Sequence, residues 1–238
     1  MEYSQLFSSA EQKCMKKTNT ALKSNLMLNE EMINFFCNLL QKQSYDERNI
    51  PLLDLAIIII HVKIIKTFNC LNELLKKGHY CEFQSLQRDI FELQYLSEYL
   101  IKNPEKVDSW FEGEQINHRH VKNNLKIPDG IEDIYGLMCD FTHPNFRGVK
   151  GNIIMKRDSG IYFKIIPEFH KPTARSLSFM QMMFELSAIT TFFEHFKHYR
   201  NFTKDDEKQL ELIKKSISKR IHPWLEKSND EIFPIHIE

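Results

Sequence analysis

The sequence predicts a mainly α fold, a multi-helix bundle with one small β-hairpin on it. Three observations predict it. Gly and Pro are scarce, at 7 and 8 in 238 residues, which favours long helices with few turns over a sandwich or barrel. Apolar residues recur every three or four positions along most of the chain, the spacing of a helical face. The exception is 152–166, where two β-rich runs flank Arg157-Asp158-Ser159-Gly160, a hairpin signal with Gly at the turn.

Taken in order, residues 1–18 are polar and weakly patterned and read as an N-terminal arm, either a short helix or loose. A core bundle spans 20–148. Its first helix, from about Thr20 to Gln43, places Leu22, Leu26, Met32, Phe35, Phe36, Leu39 and Leu40 at helical spacing. Asn49 is placed to cap the next helix, with Pro51 in its first turn. Leu52 to Lys77 contains Ile57-Ile58-Ile59-Ile60, which local propensity would make a strand. The run lacks a breaker for about 26 residues, far beyond a normal strand, so it reads as helix. Gly78 stops it.

Tyr80 to Leu100 is the stretch around which the bundle is organised. Phe83, Leu86, Ile90, Leu93 and Leu100 make one face, and Asn103-Pro104-Glu105 ends the helix. A second row, Arg88, Glu92, Tyr95 and Tyr99, lies opposite at ~100° per residue. Tyrosines beside an Arg–Glu pair predict that this side too is partly covered. Pro104 to about Leu125 is strongly polar and reads as an outer segment that Gly113 breaks, with His118 and His120 solvated. Asp129-Gly130-Ile131-Glu132 reads as a capping box; the helix it opens stops at Pro144, and Gly136 predicts close approach to a neighbour. The 152–166 hairpin needs the helical body beneath it, because a lone hairpin is marginal. C-terminal helices cover 173–227, with an apolar row through Phe179, Met182, Leu186, Ile189, Phe193 and Phe196, and Thr203 with Asp206 capping the last. The tail 228–238 reads as loose. The whole, 1–238, reads as one helical domain.

Composition narrows the function classes. Lys plus Arg equals Asp plus Glu, at 32 each, so no overall charge favours bulk nucleic acid or a membrane surface. The most apolar window, Pro51 to Asn69, carries Asp54, His61, Lys63 and Lys66 and reads as a buried helix, with no membrane span. Five scattered cysteines without a Cys-x-x-Cys pair read as reduced thiols of a cytoplasmic protein. Glu194, His195 and His198 have no second ligand pair elsewhere, so neither a metal nor another cofactor is expected.

The candidate site is the corner Asp140-Phe141-Thr142-His143-Pro144-Asn145-Phe146-Arg147. His143 stands at a helix end, where the dipole and Asp140 one turn back favour its protonated form. Burying this corner and the Arg88/Glu92 row is cheapest if they meet. His143, Arg88 and Glu92 are then the candidate catalytic residues. Tyr95, Tyr99, Asp140, Asn145 and Arg147 are the candidate ligand-binding residues, Arg88 and Arg147 for an anionic group. A structural hydrogen-bond network fixing two helices would have the same sequence signature.

The pattern R-D-I-F-E at 88–92, N-P at 103–104 and Y-G-L-M-C-D-F-T-H-P-N at 135–145 resembles a group of bacterial helical domains of unknown function. In that group an R-x-x-x-E helix precedes a His-Pro box, and the resemblance covers about residues 55–148. It implies the fold and the site. The arrangement is also similar to HEPN-type domains (higher eukaryote and prokaryote nucleotide-binding), helical bundles that include metal-independent RNases and toxins. Those nucleases carry Arg and His four to six residues apart on one helix; here Arg88 and His143 are the nearest pieces. Two functions are therefore carried forward. One is a binding, sensor or scaffold module for an anionic or nucleotide-like ligand. The other is a metal-independent RNase in a toxin or phage-defence role, with RNA as substrate and a homodimer as its assembly.

Overall fold

The computed structural model describes residues 2–43, 50–127, 129–142, 153–156, 160–163, 166–198 and 202–227. The chain is mainly helical. In order the helices are α1 (Tyr3–Ala21), α2 (Lys23–Gln41), α3 (Leu52–Lys77), α4 (Tyr80–Lys102), a 3-10 turn (Pro104–Lys106), α5 (Val107–Phe111), α6 (His118–Leu125), α7 (Asp129–Thr142), α8 (Lys171–Phe196) and α9 (Lys204–Lys227). Between α7 and α8, β1 (Ile153–Lys156) and β2 (Gly160–Phe163) pair antiparallel, Ile153 opposite Phe163 and Lys156 opposite Gly160.

The isoleucine run lies inside α3, where Ile57 and Ile60 are buried. Tertiary burial overrides its β preference, because the burial of Ile57 and Ile60 outweighs a propensity difference below about 1 kcal/mol. Gly78 ends α3 at φ +83°, a left-handed cap that only glycine adopts freely. The 1–18 stretch predicts a short helix or a loose arm; the structure shows a 19-residue helix. Its polar residues face out while Cys14 and Thr18 are buried, and it docks on the α3–α4 elbow. There Glu11 Oε1 lies 2.8 Å from His79 Nε2, and the Phe7 ring stacks on His79.

Two helices occupy the middle. α4 touches α3, α6, α7 and α8; α8 touches α1, α2, α3, α4 and α9. Contacts fix their directions. The amide of His170 donates to Tyr80 OH, and Gln94 bonds Ser187, so α4 and α8 run parallel. Asn72 meets Gln181 while Asp54 meets His195, so α3 and α8 run antiparallel. α9 closes over α2, with Lys42 on Asp206 and Arg220 on Asn25. Its start is the reciprocal cap the sequence predicts: Thr203 N donates to Asp206 Oδ2 at 2.7 Å, and Asp206 N donates to Thr203 Oγ1 at 3.3 Å.

Some local expectations change. α8 begins at Lys171, two residues before the expected 173, because Pro172 sits in its first turn and His170 Nδ1 accepts from Thr173 N. Pro51 precedes α3 as its N-cap residue; the expected cap Asn49 lies outside the described residues. Gly136 is exposed, and among the described residues a Cβ there would meet nothing within 4 Å, so they include no close approach of the kind it predicts. No helix among the described residues is long and apolar enough to cross a membrane.

Candidate functional site

Arg88 and Glu92 are one turn apart on α4, so the helix itself presents them as a pair. Arg88 Nε and Nη2 both reach Glu92 Oε1, at 3.0 and 2.8 Å. The side chains keep 20% and 34% of their surface, the half-buried state the flanking tyrosines predict. The third partner comes from α7. Tyr135 OH donates to the same Glu92 Oε1 at 2.7 Å, and the Arg88 guanidinium lies 5.8 Å from the Tyr135 ring centroid.

An aromatic group surrounds this junction. His118, at the start of α6, stacks on Tyr135 with centroids 4.1 Å apart. Phe91 stacks on Tyr135 at 5.1 Å and contacts Tyr95 at 4.5 Å. The site is therefore built from one face of α4, the N-terminus of α6 and the middle of α7. Asn117 supports the α6 end by accepting from Arg119 N at 2.8 Å, an N-cap bond.

The electrostatics follow from this packing. Burial works against the charge on Arg88, but the hydrogen bonds to Tyr135 and Glu92 outweigh it and raise its pKa further. Desolvation first, and the Glu92 carboxylate second, push the Tyr135 phenol well above its ordinary range. Tyr135 therefore stays a donor and Arg88 a cation throughout the physiological range.

The structure separates the sequence-predicted set. Arg88 and Glu92 meet, and Tyr95 joins them through Phe91. Tyr99 does not: it is a core side chain, 2% exposed, and its OH pairs with His120 Nε2 at 3.1 Å. The expectation that His118 and His120 are solvated holds for His120, which is exposed although its Nε2 pairs with Tyr99, and is corrected for His118, which is half-buried against Tyr135. Two residues apart on α6, they diverge and serve different partners, Tyr135 and Tyr99. Asp140 lies on α7, its side chain outside the described part of the structure. His143, Asn145 and Arg147 lie outside the described residues, so their meeting with Arg88 is not part of this geometry. Tyr135 and His118 are the members that residue reasoning missed. Tyr135 stands in the motif that carries the family resemblance, and that was its only signal.

A second polar pair is longer in range. His195 Nε2 lies 3.0 Å from Asp54 Oδ1, both side chains nearly sealed. His61, fully buried nearby on α3, lies 2.8 Å through Nδ1 from the Ile57 carbonyl oxygen, and burial pushes its pKa down to about 4. Among the described residues, no three His, Cys, Asp or Glu side chains are placed to hold a metal. A groove of about 570 Å³ between α2 and α9, lined by Met27, Glu31, Asn38 and Arg220 among others, shares no residue with the Arg88 junction.

No family model matches the chain, and neither a curated protein nor a solved structure matches it.

Proposed function

We propose that the chain is a helical binding or sensor module whose α4–α6–α7 junction takes an anionic or nucleotide-like ligand. The observation that supports this reading is the fixed but half-open guanidinium of Arg88. A guanidinium carries five donors. Glu92 takes bonds from Nε and Nη2, which locks the fork while leaving part of it at the surface. A preset fork loses less conformational freedom on binding a phosphate or carboxylate. The aromatic rings of Tyr135, His118 and Tyr95 beside it suit a planar base. The His-Pro box at 143–147 follows α7 in the sequence and would complete the site, and the resemblance to HEPN-type domains is in keeping with a nucleotide-like ligand. As part of the same proposal, the 152–166 hairpin lies on the helical body, the protein works in the cytoplasm, and two copies associate.

Calorimetric titration tests this with inorganic phosphate, each of the four ribonucleoside monophosphates, and a short single-stranded RNA. Arg88→Ala is expected to weaken binding at least tenfold, the loss of one charge-assisted contact of about 1.5–3 kcal/mol. No binding by any probe ends the proposal. The same samples, incubated with RNA in EDTA, test the RNase reading. Cleavage that disappears in both His143→Ala and Arg88→Ala, with melting unchanged, would replace binding by catalysis.

A further inference from the structure

Buried polarity is concentrated along α8, away from the Arg88 junction. Glu185 is 1% exposed. Its Oε1 accepts from Gln181 Nε2 at 2.7 Å, and the same nitrogen donates to Asn72 Oδ1 on α3 at 2.9 Å. Asn29 Nδ2, from α2, reaches the same Asn72 oxygen at 3.4 Å. Glu185 Oε2 has no hydrogen-bond partner among the described residues.

Among the described residues, no lysine, arginine or histidine bonds this carboxyl. The buried polar residues that α2, α3 and α4 contribute near this level are neutral amides: Asn29, Asn72, Gln87 and Gln94. The α4–α8 register set by Tyr80–His170 and Gln94–Ser187 puts Gln87 just before the Gln181 turn and Gln94 beside Ser187, two residues past Glu185. α1 adds Thr18 and Cys14, and the inner face of α9 is Leu210, Ile213 and Ile217. The other buried ionisable groups along α8, His61 and the Asp54–His195 pair, stand toward its C-terminal end. Glu98 on α4 sits beside Thr191 and Lys102. Isolated in this way, a carboxylate would be far costlier than a neutral acid held by one amide. Burial accordingly raises the Glu185 pKa well above the usual range.

We propose that the Asn29–Asn72–Gln181–Glu185 layer is a proton-binding site. α8 seats on α2 and α3 with Glu185 as the neutral acid, and loss of that proton to water unseats the helix. The proposal is independent of the α4–α6–α7 reading.

The sign follows from linkage. An unfolded Glu titrates near ~4.3. Between that pH and the higher folded value, the native state holds a proton that the unfolded state has lost. The unfolding constant therefore rises with pH, about tenfold per unit for one proton. The test is urea unfolding of the full chain and of Glu185→Gln from about pH 5 to about pH 9. Gln keeps the shape and cannot ionise. The ratio of wild-type to variant unfolding constants is expected to climb up to about tenfold per pH unit; a ratio flat across the range overturns the proposal. Glu185→Met, of similar length, replaces the Gln variant if that does not fold. Infrared spectra of the wild-type protein near neutral pH are expected to show a protonated-carboxyl carbonyl band, and a spectrum without one also overturns it.

Discussion

Three donors meet on one oxygen: Arg88 Nε, Arg88 Nη2 and Tyr135 OH all converge on Glu92 Oε1. The carboxylate is the centre of the junction, and the Tyr135 hydroxyl ties α7 into it. The hydroxyl donates to a charged acceptor, the stronger kind of hydrogen bond. Tyr135→Phe keeps the ring stacked on His118 and Phe91 and removes the hydroxyl with its bonds to Glu92 and Arg88. Its expected cost is about 1.5 kcal/mol of unfolding free energy, the low end for a bond to a charged group because the site is part-open. Urea denaturation of the two proteins measures it, and an unchanged midpoint would mean that α7 is held by its rings alone. Arg88 and Glu92 were legible in the sequence because i,i+4 spacing makes them neighbours in any helix. Tyr135 and His118 were not, since their contact with α4 depends on how α6 and α7 fold back. His118 in particular looks like any solvated residue of a polar stretch.

At the scale of elements, the same limit explains which helices were foreseen and which pairings were not. Gly78, Asn103-Pro104 and Thr203/Asp206 mark helix ends by local chemistry, and the structure ends or starts helices there. The Asp54–His195 contact spans 141 positions, and no spacing rule encodes it. It joins the first turn of α3 to the last turn of α8. Losing this buried contact is expected to cost about 1–3 kcal/mol in Asp54→Ala. The double variant with His195→Ala should cost clearly less than the sum of the two singles, which a double-mutant cycle by urea unfolding reads directly.

The cap of α9 gives an acid-side prediction at this same scale. Burial alone would raise the Asp206 pKa, but Lys42 and the Thr203 bonds outweigh it and hold the carboxyl below its usual range. The stabilisation is thus present above the unfolded value near ~3.9 and is lost as pH falls toward the folded one. Asp206→Ala should cost about 1–2 kcal/mol near neutral pH. The gap between variant and wild type should close as the pH is lowered below about 4, followed by thermal melting across that range.

For the whole molecule, the feature that sets this bundle apart is the polar seam between its two central helices. α4 buries Gln84, Gln87, Gln94 and Ser97; α8 buries Ser178, Gln181 and Glu185. In sequence these glutamines resemble surface residues, because periodicity marks only apolar positions as core. Their spacing nevertheless repeats the helical face, and the parallel register of α4 and α8 lays the two rows side by side. The seam is poorly satisfied: Gln87 Oε1 and Nε2, Gln94 Oε1, Ser97 Oγ and Ser178 Oγ have no partner among the described residues. A buried amide without partners costs about 1–3 kcal/mol. An apolar side chain of the same length would carry no such cost and would keep the packing. Gln87→Met should therefore stabilise the fold by about 1–3 kcal/mol, seen as a higher urea midpoint with an unchanged slope. If the variant is instead less stable, the amide is doing something its isolated position does not suggest, such as holding the two central helices in register. The cost of the seam would then be what fixes one helix arrangement over others.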